Sequence, residues 1–354
     1  MKWQTMAIAV GSAFVLPAYA EGSGLEVKLS GQINRAVMHV DDGVDSRYFH
    51  VDNDNSSTRL RFTGTKPLTP TAKAGVVLEV EYQSNPSNLV TFGVQEGAPS
   101  FDERIVEAFY EAGWGRLGLG QGDGAANGGV EMDLSGTMVA HYSGSVDIGG
   151  AFAFRAPSGA AGPTIAQTTS QQDFESRYDR VRYDTPSFGG AIASASVGTK
   201  DTNREVKELA LRYRAQSSLG QVAGALGYSN EAAPPGSASP DDRTIGGSIS
   251  WLHPAGYNVT IGHTTRRITI SRDGTFDYLK LGFKRGAHAV SADYGLGEDQ
   301  NAVGDEARVF GLAYVYQAAS WAELYALVKT HRLDRPGAEF ADIHVAMAGT
   351  RLSF

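Results

Sequence analysis

Hydrophobic residues along this chain recur at every second position over short stretches. Between residues 71 and 83, Ala74, Val76, Leu78, Val80 and Tyr82 share one face, and Glu79, Glu81 and Gln83 share the other. Further on, Leu209, Leu211 and Tyr213 oppose Glu208, Arg212 and Arg214, and Leu279, Leu281 and Phe283 oppose Tyr278, Lys280 and Lys284. Successive side chains of a strand point to opposite sides, so this period predicts strands with one apolar and one polar face. Sixteen such segments can be drawn: 25–40, 57–66, 71–83, 103–113, 116–122, 177–186, 189–200, 204–216, 219–230, 243–254, 256–268, 275–285, 287–297, 306–317, 320–332 and 342–354. The fold class that follows is all-β.

The connections sort by parity. After even-numbered segments they are tight: Pro67-Leu68-Thr69-Pro70, Trp114-Gly115, Ser187-Phe188, Ser217-Ser218, Pro254-Ala255, Gly286 and Ala318-Ala319. After odd-numbered ones most are longer and richer in charge, Pro or Gly, as at 41–56, 84–102, 231–242 and 333–341. The short connections at 201–203 and 269–274 fit this rule least well. Short turns at one rim and long loops at the other are the mark of a transmembrane antiparallel barrel. A soluble two-sheet sandwich would bury its apolar faces against each other and has no reason to segregate loop lengths.

One segment breaks the rhythm. Residues 123–176 lack regular alternation, although 148–155 (IGGAFAFR) fits a short strand or hairpin. A stretch this long without elements of its own is normally functional. If the strands close into a 16-stranded barrel, its expected place is inside the lumen, where it constricts the pore.

The N-terminus carries an address. Lys2, an apolar run from Met6 to Leu16, Pro17 and Ala18-Tyr19-Ala20 make the three-part pattern of a secretory signal peptide. Residues 1–20 are therefore expected to be removed, leaving 21–354 as one barrel domain. No later stretch offers the apolar length of a membrane helix. The chain has no cysteine, so stability must come from elsewhere than disulfides. A formal charge of −8 argues against nucleic acid and against a polybasic lipid anchor. Tyr82, Trp114, Tyr213, Trp251, Tyr257, Tyr316 and Trp321 lie near strand ends, where rings with an apolar body and a polar tip favour the headgroup level of a bilayer.

Four segments, taken in order, resemble the general diffusion porins of Gram-negative bacteria. VKLSGQINRAVMHVDDG (27–43) resembles their first strand and loop, and STRLRFTGTKPL (57–68) their second strand and first tight turn. WGRLGLGQGDG (114–124) resembles the fifth strand entering the third loop, and DRVRYDTPSFGG (179–190) the strand leaving it. The terminal Phe354 resembles the family's barrel-assembly signal. The resemblance spans the mature chain. It implies a homotrimer of sixteen-stranded barrels in the outer membrane, passing small hydrophilic solutes and ions and needing no cofactor. It also implies an eyelet in which acids of the third loop face a basic cluster on the wall. The matching acids are Asp123, Glu131 and Asp133. The matching wall residues are Arg59 and Arg104, with Arg61 on the same face as Arg59. The Pro-Glu-Phe-Gly-Gly type of loop tip is absent, and GGVEMDLSG stands in its place.

Other signals are weaker. Gly118, Gly120, Gly122 and Gly124 lack the helix and distal acid of a dinucleotide fingerprint, and read as small residues that let the chain bend inward. Asp52, Asn53, Asp54 and Asn55 lack the Gly and distal Glu of a calcium loop and are expected to form a solvated turn. The eight histidines show no metal spacing, and His141 near Ser143 and Ser145 comes without a nucleophile elbow. No catalytic, metal or cofactor residue is assigned. The rivals to a general porin are a channel selective for an anion or sugar, an outer-membrane barrel hydrolase, and a secreted soluble β-protein.

Overall fold

The computed structural model describes residues 24–97, 99–200, 204–234, 236–237, 240–269 and 272–354. The expected leader, residues 1–20, lies outside them.

Among the described residues, sixteen strands close into one antiparallel barrel. β1 (Glu26–Asp41), β2 (Arg59–Thr69), β3 (Ala72–Gln83), β4 (Ser100–Ala112) and β5 (Gly115–Asp123) form the first part of the wall. β6 (Arg177–Asp184), β7 (Ala191–Lys200), β8 (Arg204–Ser217), β9 (Gly220–Glu231), β10 (Asp242–Leu252) and β11 (Tyr257–Thr269) continue it. β12 (Arg272–Arg285), β13 (His288–Glu298), β14 (Glu306–Ala319), β15 (Ala322–Asp334) and β16 (Ile343–Ser353) complete it. β16 pairs back onto β1 from Gln32↔Ser353 to Asp41↔His344, so the sheet has no free edge. Phe354 extends the closure. Its N–H donates to Gly31 O at 3.0 Å, and Gly31 N–H donates to Phe354 O at 2.9 Å. A Cβ at position 31 would fall 2.7 Å from both Arg59 O and the Phe354 ring, which is why glycine occupies the seam.

The strand faces follow the period of two. Leu60, Leu78, Leu119, Leu211, Leu279 and Leu312 are exposed on the outside, while Glu79, Ser196, Glu208, Ser250, Thr260 and Lys280 turn inward and are buried. Aromatic rings stack at the rim of tight turns. Trp114 lies between Tyr110 and Tyr183 at 5.8 and 5.9 Å, and His288 stacks on Tyr314 and Tyr316. Among the described residues no helix is long and apolar enough to cross a membrane.

Two features depart from the sequence-based expectation. The Asp52–Asn55 stretch is not a solvated turn. Asp52 and Asn53 are buried. A short strand, Ser46–Asp52, returns along the upper half of β1, and Asp52 Oδ2 there accepts from Arg35 at 2.6 Å, Ser84 N at 2.7 Å and Asn85 N at 2.9 Å. Four such residues in a row read as polar and exposed, but here Asp52 satisfies N–H donors of the second loop, while the Asn53 and Asn55 amides donate to third-loop carbonyls at Val139 and Met138. The inner wall is also not polar throughout. Met38 and Val40 of β1, Leu327 and Leu333 of β15, and Ile343, Val345 and Met347 of β16 face inward and are buried with Phe49 and Val51. Their cover is the third loop, through Val139, Ile148, Phe152, Phe154 and Ile165. Phe152 meets Phe49 edge-on at 5.5 Å and Phe92 of the second loop at 5.1 Å. Of the segment 148–155, expected as a short strand or hairpin, Ala153–Arg155 forms a short strand, and its partner Ala161–Thr164 lies beyond that segment.

A cation in the apolar outer band has no water or partner, whereas one on the inner side stays hydrated. Leu279→Arg, on the outer face of β12, is therefore expected to cost about 2–4 kcal/mol of folding stability in liposomes. The same change at the inward Thr63 should cost far less. Equilibrium denaturant unfolding followed by tryptophan fluorescence measures both.

Candidate functional site

The third loop leaves β5 at Gly124, where a Cβ would lie only 1.9 Å from Glu208 Oε2 of β8. Gly120, just before it, has φ +119°, a conformation that favours glycine. From there the loop is tied to the wall by donors and acceptors that face it in turn. Arg212 of β8 donates to the carbonyls of Ala125 and Asn127, both at 2.6 Å. Ser248 of β10 donates to Gly129 O at 2.9 Å and accepts from Met132 N at 3.0 Å, and Ser250 accepts from Leu134 N at 2.9 Å. Lys280 of β12 donates to Asp133 Oδ2 and to His141 O, both at 2.6 Å. Lys329 of β15 donates to Ser145 O at 3.2 Å. His141 is paired with Asp293 of β13, which also accepts from Tyr278 OH at 2.8 Å. Burial, offset in part by Asp293, holds the His141 imidazole down at about 4, so it is neutral at pH 7.

Between the loop and the opposite wall lies a polar cavity of about 540 Å³. Arg59 of β2, Arg104 of β4, Arg177 of β6 and Arg351 of β16 line its wall side. Glu131, Asp147 and Asp173 of the third loop line the other side, joined by Asp54 of the first loop. The guanidiniums differ in what holds them. Arg104 Nε donates to Glu79 at 2.7 Å and its Nη1 reaches Glu81. Arg351 Nε donates to Glu323 at 2.7 Å, and Arg177 lies 3.7 Å from Asp123. Among the described residues Arg59 has no hydrogen-bonded or ion-paired carboxylate partner.

Among the described residues Glu131, Asp147, Asp173 and Asp54 have no ion pair. Tyr142 OH donates to Asp147 Oδ2 at 2.6 Å, Gln171 Nε2 reaches Glu131 at 3.3 Å, and Gln83 Nε2 donates to Asp54 at 2.7 Å. Asp173 accepts from Gly128 N at 2.6 Å and Val130 N at 3.3 Å. Burial, then the Asp147 carboxylate, pushes Asp54 up to about 7. Burial pushes Asp173 up to about 6 against those backbone hydrogen bonds. Burial, then Asp173 and Asp147, raises Glu131 well above the usual range, and burial raises Asp147.

Of the six residues singled out from the sequence, Arg59, Arg104, Asp123 and Glu131 line this cavity. Asp133 instead turns behind the loop onto Lys280, with its side chain 3% exposed. Arg61 shares the inward face of β2 but lies outside the cavity lining, paired with Glu79 at 2.5 Å. Sequence reasoning missed Asp54, Glu81, Asp147, Asp173, Arg177 and Arg351. Arg177 carried no local signal, because period-two counting from the exposed Val181 gives it outer-face parity, and it reaches the cavity from the start of its strand beside Asp123. Ser143 and Ser145, near His141, are engaged as donors to Val130 O at 2.9 Å and Thr169 O at 2.6 Å. A further carboxylate cluster, Glu175, Glu231 and Asp242, is matched by Lys200, Arg204 and Arg266, with Lys200 Nζ 2.6 Å from Glu175 and Arg204 2.9 Å from Glu231.

The family model described as Gram-negative porin matches residues 5–335. The chain belongs to the Gram-negative porin family. It is an outer-membrane channel for passive diffusion. No curated protein matches it in sequence. Among solved structures it is similar to the anion-selective porin from Comamonas acidovorans, at 20% identity over 93% of this chain and 100% of that one, with a TM-score of 0.67. It is similar to OmpF of Salmonella typhi in complex with daunomycin, at 14% identity over 94% and 98%, with a TM-score of 0.64. A trimer form of OmpT of Vibrio cholerae matches at 13% identity over 94% and 100%, with a TM-score of 0.59. At these identities the three structures share the fold of this porin.

Removing one partner of a buried ion pair strands the other, at a cost of about 3–5 kcal/mol. Lys280→Met is therefore expected to release the middle of the third loop. Open-channel current noise should rise in single-channel recordings, and the segment around Asp133 should become sensitive to added protease. Adding Asp133→Leu to Lys280→Met should restore much of the quiet state.

Proposed function

We propose that passage through this porin is controlled at the cavity between the third loop and the arginine wall, with Arg59, Arg104, Asp123 and Glu131 among the groups that a crossing solute meets. The observation that carries this reading is the facing of guanidiniums by carboxyl groups across one narrow, polar space. Such opposed charges set a transverse field, which hydrated polar solutes can align with and apolar solutes cannot exploit. Low-dielectric walls strengthen that field relative to open water. Asp133 and Arg61 act one step away in this reading: the first holds the loop, and the second supports Glu79 beside Arg104.

The working unit we propose is a homotrimer, with residues 1–20 removed on export and no catalytic role in passage. The trimer form of OmpT of Vibrio cholerae supports the assembly by shared fold.

The test is planar-bilayer recording of the detergent-purified protein. Stepwise conductance is expected. Glu131→Trp, which adds bulk at the loop face of the cavity, should lower the step size and the largest polyethylene glycol that enters. If Glu131→Trp leaves both unchanged, the narrowest section lies elsewhere.

A further inference from the structure

On the outer wall, away from the pore, a polar constellation stands where the neighbouring surface is apolar. His263 of β11 and Asp277 of β12 are paired across the ladder, and both are exposed on the outward side with Ile261 and Leu279. His263 Nδ1 lies 2.8 Å from Asp277 Oδ1, and its Nε2 lies 3.3 Å from Thr265 Oγ1 on the same strand. A carboxylate only accepts, so Nδ1–H donates to Asp277, and Nε2 of the neutral ring is left to accept the Thr265 proton. Hydroxyl, imidazole and carboxylate therefore stand in the order that activates an oxygen nucleophile. Arg267, two residues further along β11 and outward by the same count, has no ion-paired carboxylate among the described residues.

The surroundings select a substrate class. Gly247 of β10 is the cross-strand neighbour of His263, and Gly224 lies on β9 beyond it. With no side chains at these two positions, apolar grooves of about 680 and 730 Å³ open on the outer wall and meet at His263. The first runs over Ile249, Ile261 and Leu279 toward the tight turns, and Thr265 lines the second. Along β11 the outward residues change from Tyr257, Val259 and Ile261 to His263, Thr265 and Arg267. Along β12 they change from Leu281 and Leu279 to Asp277 and Thr275. This is the boundary between hydrocarbon and headgroup, where the esters of a bilayer lipid lie. An ionisable pair facing lipid is costly, and Leu296, level with Asp277 on β13, shows that an apolar side chain fits this depth.

We propose that this outer face is a second, catalytic site that hydrolyses an acyl ester of a surrounding diacyl phospholipid, with Thr265 as nucleophile, His263 as general base and Asp277 holding the imidazole. The acyl chain lies in the groove over Gly247. Thr265 Oγ1 bonds to the ester carbonyl carbon while His263 Nε2 takes the hydroxyl proton. The carbonyl electron pair moves to oxygen, and Arg267 is the outward cation of this strand that faces the developing charge. When the tetrahedral centre collapses, the bond to the glycerol oxygen breaks and that oxygen takes the proton from His263, so a lysolipid leaves. A water molecule, its proton drawn by His263, then attacks the acyl-threonine. The Oγ1–carbon bond breaks, Thr265 recovers a proton, and a fatty acid is released. Asp277 stays ionised throughout and stabilises the imidazolium.

The test uses the full mature chain reconstituted in dioleoylphosphatidylcholine vesicles, with oleate release measured by mass spectrometry and conductance recorded on the same preparations. Thr265→Ala and His263→Ala should each lower release on the order of a hundredfold. Thr265→Ser should retain it, a contrast that a purely structural threonine does not give. Asp277→Asn should lower kcat with KM unchanged. Acid-quenched protein should carry an oleoyl group on Thr265. Thr199→Ala, at an outward hydroxyl on β7, should release oleate as the unmodified protein does. Release no greater than that of Thr265→Ala overturns the proposal, as does release that survives His263→Ala or is lost in Thr199→Ala. Conductance steps are expected to be the same in every variant, which shows the barrel folded. Failure here therefore leaves the constriction reading standing, and that reading falls separately if Glu131→Trp has no effect on conductance.

Discussion

A backbone N–H or C=O that faces hydrocarbon finds no partner there, and this one constraint organises the rest of the molecule. Only a structure that satisfies every main-chain polar group within itself can present an apolar exterior to lipid. The sixteen strands do so by closing, and the seam between β1 and β16 is where the requirement is most severe. There the terminal residue exchanges hydrogen bonds with Gly31 in both directions, and a side chain at that position would collide with the ring that ends the chain. Closure fixes the faces in turn. Once the ring is complete, the period of two leaves each strand one side for lipid and one for the interior.

The interior is then a space to be divided rather than a water column. One side is closed by the third loop, which sits on an apolar patch built from β1, β15 and β16 and carries Phe152, Phe154 and Ile165 into it. The remainder is held by buried charges. The Lys280–Asp133 ion pair contributes little net stability, because removing ions from water offsets their attraction, and the neutral His141 is held by its contact with the Asp293 carboxylate. What they supply is position. An apolar loop surface alone could slide along an apolar wall, but Lys280 reaches both Asp133 and His141 O in only one register.

The sequence made the wall legible and the interior only partly so. Strand periodicity is imposed at every residue by the outer face, and each of the sixteen expected segments overlaps an observed strand. Loop parity was legible for the same reason, since an antiparallel ring must alternate its rims. Periodicity marks a side, however, and does not say what covers it. Met38, Val40, Val345 and Met347 obey the same alternation as their polar neighbours, yet they meet protein where those neighbours meet water or charge. The Asp52–Asn55 stretch misled for a related reason, because its partners come from the second and third loops, far along the chain. The candidate site divides in the same way. Arg59, Arg104 and Asp123 lie on strands that the alternation marked out, and Glu131 lies in the loop motif that the family resemblance singled out. Asp147 and Asp173 lie deep in a loop without a period, and only its folding brings them beside Glu131.

This division bears on how a pore of this kind can be tuned. The arginines stand on rigid strands, where their side and height are fixed by closure and a change of residue alters charge without altering shape. The acids stand on a loop whose course is set by contacts remote from the cavity, on the far side of the same segment. Their mutual spacing, and so the ease with which they ionise together, is a property of how the loop is anchored rather than of which acids it contains. A substitution at Ser248, Ser250 or Lys280 touches no solute, yet it can alter the field in the lumen by moving Glu131 relative to Asp173. The charge pattern that a solute meets is therefore written in two places, in the wall by periodicity and in the loop by its tethers, and only the first of these can be read residue by residue.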